Sequence, residues 1–196
     1  MNPLLIGGIV LGAILLYVWS VYNGLVTMKA RIKASLQEIG NQLKRQADLI
    51  PNLVESVKGY MKHETKALQM ITDARKSAIS ALEKGTPKDL VAASNKMTEA
   101  LGAIKVIVES TPQLQAAGPT QDLMAELRDT ADKVMYARRT LIDLSADYNI
   151  RLMTFPSNLV AMVFGFQAEE GLTMPDEKNY ATVSSEDTQT PKVNLS

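Results

Sequence analysis

LLIGGIVLGAILLYVWSVY, residues 4–22, holds no charged residue. A helix that is apolar all round must be enclosed, either in the core of a large protein or in a bilayer. These 19 residues would span about 28 Å as a helix, close to the hydrocarbon thickness of a membrane. Tyr17, Trp19 and Tyr22 gather at its C-terminal end, where amphipathic rings settle at the interface. A cleaved signal peptide would carry a basic leader and a small-x-small cleavage site, and neither is evident here. The run therefore predicts an uncleaved anchor over residues 1–22 that meets membrane lipids through residues 4–22. The three residues before it carry no Lys or Arg, while Lys29, Arg31 and Lys33 follow it. Positive residues stay inside, so the N-terminus is expected outside and the body in the cytoplasm.

Cysteine is absent, which excludes disulfides, thiolate metal sites and a thiol nucleophile. His63 is the one histidine. Basic and acidic residues balance at 21 each, so no electrostatic footprint for nucleic acid exists. Aromatics are scarce and Ala, Leu and Met plentiful, a composition that favours helices.

Beyond the anchor, apolar residues recur at alternating steps of four and three. The seam runs through Ile32, Leu36, Ile39, Leu43, Gln46, Ile50, Leu53, Val57, Tyr60, Glu64, Ala67, Ile71, Ala74, Ala78 and Ala81, and thirteen of these fifteen are apolar. That is one helical face of heptad type. Continued from the anchor, it predicts a rod of roughly 80 residues, on the order of 120 Å. Pro51 interrupts it. A proline in a helix interior costs roughly 3 kcal/mol, and here it deprives the Ala47 carbonyl of its partner. Pro51 is read either as a hinge that aims the helix away from the membrane or as a static kink that wraps it round the core. In both cases it is expected to turn one long helix into two packing segments.

Thr86-Pro87 opens a second helix, with Thr86 as N-cap, Pro87 in the first turn and Asp89 three residues on. Leu90, Ala93, Met97, Leu101, Ile104 and Val108 form its seam. Residues 110–120, with two Pro and one Gly, read as a loop. A third long helix carries Leu123, Leu127, Val134, Ala137, Leu141, Leu144 and Tyr148 on one face and closes at Phe155-Pro156-Ser157. LVAMVFGF, residues 159–166, is too short to span a membrane. It is expected to pack on the bundle, with a dip into the interface as the alternative. Residues 167–196 carry six acids and two bases and read as an acidic disordered tail. The fold class is all-α: an elongated antiparallel bundle of three to four long helices over residues 23–166, behind a transmembrane helix.

Arg45, Asp48, Asn52 and Glu55 share one helix stripe by their spacing. Arg138 and Arg139 are candidates to meet Asp48 or Glu55 across the bundle. The group is either a partner-binding patch or a structural network. His63 with Lys66 has the spacing of a histidine phosphotransfer site, but Ala67 stands where such sites prefer glycine. His63-Glu64 has no second histidine to complete a zinc motif. No phosphate loop, dinucleotide loop or nucleophile elbow occurs. No catalytic residue, metal or cofactor is expected.

YNGLVTMKARIKASLQEIGNQLKRQADLIPNLVESVKGYMKHE, followed by ITDARKSA, resembles the LemA family of bacterial membrane proteins. ARRTLIDLSADYNIRLMTFPSNLVAMVFGF is similar to that family's C-terminal signature, with its YN, FPSN and GF elements. The resemblance covers about residues 20–166. It implies an N-terminal membrane helix, a bundle of long helices, an association with the bacterial envelope and, in some members, with magnetosomes. It implies no settled activity. The chain departs from the family at Thr111-Pro112-Gln113-Leu114-Gln115, at Arg139-Thr140-Leu141-Ile142-Asp143 and in lacking a Tyr-Phe pair after the GF segment. The reading is a single-pass, inner-membrane scaffold or interaction protein with an unknown protein partner. Its alternatives are an adaptor for a membrane protease or envelope-stress machine and a phosphotransfer module using His63. Homo-oligomerisation is expected through the alanine-rich end of the seam, Ala67 to Ala81.

Overall fold

A computed structural model of the chain describes residues 2–60 and 64–169, and these hold no β-strand. Helix α1 runs from Pro3 to Lys58 without a break. Its 56 residues make a rod of about 84 Å, shorter than the seam alone predicts. The chain reverses between Lys58 and Thr65, and α2, Thr65–Lys84, returns along α1. Arg75 on α2 bonds to Ala47 on α1, and a methyl group on Gly40 would lie 3.5 Å from Leu82. Those two contacts fix an antiparallel pair.

The heptad phase runs unbroken through this reversal, which is why the periodicity alone predicts one rod. The seam does fail there in burial. Twelve of its fifteen members are buried and Leu36 is partly so, while Tyr60 and Glu64 are exposed. Pro51 is not where the helix divides. It lies inside α1 on the exposed side, and α1 continues for two turns beyond it.

Gly85 ends α2 in the left-handed conformation, φ 66°, and its N–H bonds to the Ala81 carbonyl. Only glycine takes that conformation without steric cost. Helix α3, Pro87–Ser110, starts at Thr86 as the sequence predicts. The Asp89 N–H donates to Thr86 Oγ1 at 3.1 Å, and the Thr86 hydroxyl donates to the Asp89 carboxylate at 2.6 Å. This is a reciprocal cap. The Thr86 hydrogen bond chiefly, with Lys84 3.6 Å away, holds the Asp89 carboxyl below its ordinary pKa. A depressed folded-state pKa gives stability that is present at neutral pH and lost as pH falls through the depressed value. Asp89→Asn should therefore flatten the acid side of the stability profile below about pH 4, read by thermal melts across pH.

Residues 110–120 are more ordered than a loop. A single turn, α4, Pro112–Gln115, buries Leu114. Helix α5, Gly118–Met153, then runs back along α1. Arg45 meets Glu126 near one end, and Arg151 lies beside Gly24 at the other. Helix α6, Ser157–Val163, is short and packs on both α1 and α5.

The core is one continuous cluster lined by Ile39, Leu43, Ile50 and Leu53 of α1, Ile71 of α2, Ile104 of α3 and Leu127 and Leu141 of α5. Leu25 is the first fully buried residue of α1. The apolar stretch before it has no buried residue; only its end, at Val21 and Tyr22, touches the bundle among the described residues, and by length and composition it can cross a membrane. Ala67, Ala74, Ala78 and Ala81 are buried within the chain, so the small seam serves close approach between helices of one molecule rather than between copies. His63 and residues 170–196 of the expected tail lie outside the described residues.

Candidate functional site

The polar stripe is spread over the surface rather than gathered. Arg45 reaches Glu126 on α5 through two nitrogens, at 3.0 and 2.7 Å, on a half-exposed face. Exposed pairs of this kind contribute about 0.2–1 kcal/mol. Asp48, Asn52 and Glu55 point to solvent. Arg138 does not meet them. It donates to Asn95 on α3 at 2.7 Å, and Arg139 is exposed. The register explains this. Glu126 stands opposite Arg45, and Arg138 lies twelve residues further along α5, about 18 Å toward the N-terminal end of α1. Partial burial draws the Arg138 pKa below its ordinary value, yet an arginine stays charged at any pH that keeps the chain folded.

Pro51 has a more specific consequence. Its missing N–H leaves the Ala47 carbonyl free, and Arg75 Nε donates to that oxygen at 2.9 Å. The proline thus creates the acceptor that ties α2 to α1.

A second group closes the end of the bundle next to the apolar N-terminal stretch. Tyr148, wholly buried, donates its hydroxyl to the Gln167 carbonyl at 3.2 Å. Asn149 clasps Glu169 from both sides: its Nδ2 donates to the Glu169 carbonyl at 2.8 Å, and the Glu169 N–H donates to its Oδ1 at 3.0 Å. The Glu169 carboxylate reaches Lys29 at 3.2 Å. Burial pushes the Tyr148 phenol's pKa up; Lys29 pulls it back and Glu169 adds to the rise. Gly165, at φ 69°, makes the turn that sends Phe166 back to Tyr22. Residues 167–169 are therefore tied down rather than free. The YN element supplies one side of this clasp and its partners lie just beyond the GF element, but periodicity cannot reveal it, because Asn149 acts through backbone groups twenty residues away. Asn149→Leu removes both bonds and should cost about 1–3 kcal/mol. Faster proteolytic cleavage around residue 167 in the variant would check it.

A groove of about 370 Å³ runs beside the clasp, between Val26, Ile32 and Leu36 of α1 and Phe166. Among the described residues no cluster of metal-ligating side chains is assembled.

Residues 35–193 match the family model described as LemA family. The magnetosome protein MamQ of Magnetospirillum gryphiswaldense is 26% identical over 172 residues, covering 76% of this chain and 63% of that protein. Magnetosome proteins MamQ 1 and MamQ 2 of Paramagnetospirillum magneticum are each 24% identical over 172 residues, with the same shares. The chain spans less than two thirds of the length of these relatives. The family match begins beyond residue 22, so the apolar stretch 4–22 lies outside it.

Proposed function

We propose, since the chain belongs to the LemA family, that it is a single-pass membrane scaffold which holds a bundle of four long helices at the inner face of the bacterial inner membrane and has no catalytic site of its own. The observation that carries this is the continuity of α1. Residues 4–22 form its first turns, bare except at Val21 and Tyr22 where the bundle begins, and the same helix supplies the core from Leu25 onward. An uncovered apolar helix of that length is stable only in lipid. The body presents Asp48, Asn52 and Glu55, charged or polar and solvent-facing, as the surface for a protein partner. The magnetosome proteins among its relatives support a membrane setting.

The chain has no native cysteine, so single introduced thiols report cleanly on topology. With Asn2→Cys, an impermeant maleimide should label intact cells; with Ser110→Cys it should label only lysed ones. The reverse pattern would invert the topology, and labelling of both in the soluble fraction would remove the anchor. Photo-crosslinkers at Arg45, Asn52 and Arg138 distinguish a self-assembling scaffold from an adaptor for another membrane machine. Self-adducts mean the first, and one distinct protein means the second.

A further inference from the structure

We propose that α6 and its flanks form a second membrane contact, a foot that lies in the headgroup region of the same bilayer that α1 crosses. The proposal rests on the reading of α1 as a membrane span.

Helix α6 buries only Val160 and Ala161. Ser157 and Asn158 at its start are polar and half-buried, and its other apolar residues are exposed: Leu159 is 53% exposed, Met162 76%, Val163 80% and the following Phe164 50%. Met153 and Phe155, just before it, are each 74% exposed. This is not ordinary scatter. Among the described residues beyond Val26, seven of the twelve exposed large apolar side chains fall within residues 150–164. Isolated exposed apolar residues need no explanation, but a contiguous patch marks an interaction surface.

Its position names the occupant. The Tyr22 ring packs on Phe164 with centroids 4.9 Å apart and on Phe166 at 5.6 Å. Tyr22 is the last residue of the apolar run 4–22, seven positions before the first charged residue, Lys29. The patch therefore stands level with the end of the span, beside the exposed Trp19 and Tyr17, where aromatic rings mark the membrane–water boundary. Arg151 sits beside Gly24, and Lys29, Arg31 and Lys33 follow on α1. These cations lie on the water side of the patch, as an interfacial segment over anionic lipid requires. A bilayer held there by the span already touches this level, so the foot enters it without the entropic cost of a new encounter.

The test uses the full chain in vesicles of phosphatidylcholine and phosphatidylglycerol. An environment-sensitive fluorophore is placed on single cysteines at Met162, at Ile9 within the span, and at the exposed Tyr136. Tyr136 lies fifteen residues before Arg151 on α5, about 22 Å from the membrane end. Quenchers are lipids brominated near the headgroup or deep in the chain. The expected result is strong quenching at Met162 by shallow bromines, at Ile9 by deep ones, and none at Tyr136. Quenching at Ile9 with Met162 matching Tyr136 overturns the foot and leaves the anchor standing. Loss of quenching at Ile9 overturns both. Shielding of Met162 from lipid and from aqueous quencher alike overturns the foot in favour of a protein contact. Val163→Asp should lower Met162 quenching without changing that at Ile9.

Discussion

Tyr148→Ala should destabilise the chain by about 3–5 kcal/mol, the range for truncating a fully buried aromatic. Its ring is wholly enclosed, and its hydroxyl also holds the Gln167 carbonyl. The two contributions separate cleanly. Tyr148→Phe keeps the ring and loses one hydrogen bond, so it should cost only about 1 kcal/mol. Thermal melts of the full chain in mild detergent measure both. The alanine variant should also release residues 166–169, and with them the packing of Phe166 on Tyr22, which limited proteolysis would detect. A loss below about 1 kcal/mol for the alanine variant would mean that the anchor end of the bundle is held elsewhere.

Pro51 and Arg75 should behave as a coupled pair. In the native chain Arg75→Ala strands a part-buried carbonyl on Ala47, and a lost hydrogen bond to a charged donor costs about 1.5–3 kcal/mol. In a Pro51→Ala background the same carbonyl regains an ordinary helical partner, the N–H of the new residue. There Arg75→Ala should cost under about 1 kcal/mol, so the cycle should show a coupling of about 1–2 kcal/mol. Pro51→Ala alone should raise stability by about 1–2 kcal/mol, because removing the ring clash outweighs the weakened tie to Arg75. Equal costs for Arg75→Ala in the two backgrounds would sink the idea. If the stripe beside Pro51 binds a partner, the more stable variant should also bind it less well, since α1 and α2 would settle into a different approach.

The helices were legible because burial follows heptad spacing. The seams read for α3 and α5 are buried or half-buried throughout, and the Thr86 cap is where its residue types place it. That α1 and α2 are two antiparallel helices was hidden by the spacing between them: the phase of the seam carries from one to the other, so periodicity sees nothing. What marked it was weaker, a glycine at 59 and a charged residue at seam position 64. The polar pairings between helices were not legible, because a stripe shows which residues share a face but not the register of the facing helix. Arg45 found Glu126 and Arg138 found Asn95 for that reason alone. The Asn149 clasp was equally out of reach, as its partners are backbone atoms with no sequence identity.

The unbroken passage of α1 from apolar stretch to core sets a fixed height. Leu25, the first buried core residue, follows the run 4–22 by three positions, too few for a slack tether. Asn52 lies thirty residues beyond Tyr22, about 45 Å up the same helix. With α1 seated across a bilayer, whatever docks on the Asp48–Glu55 face meets it at that stand-off, and turning the span about its axis turns the face by the same angle. On that reading the molecule is a rigid post rather than a tethered float, and any partner of this face would have to match its altitude and bearing as well as its chemistry.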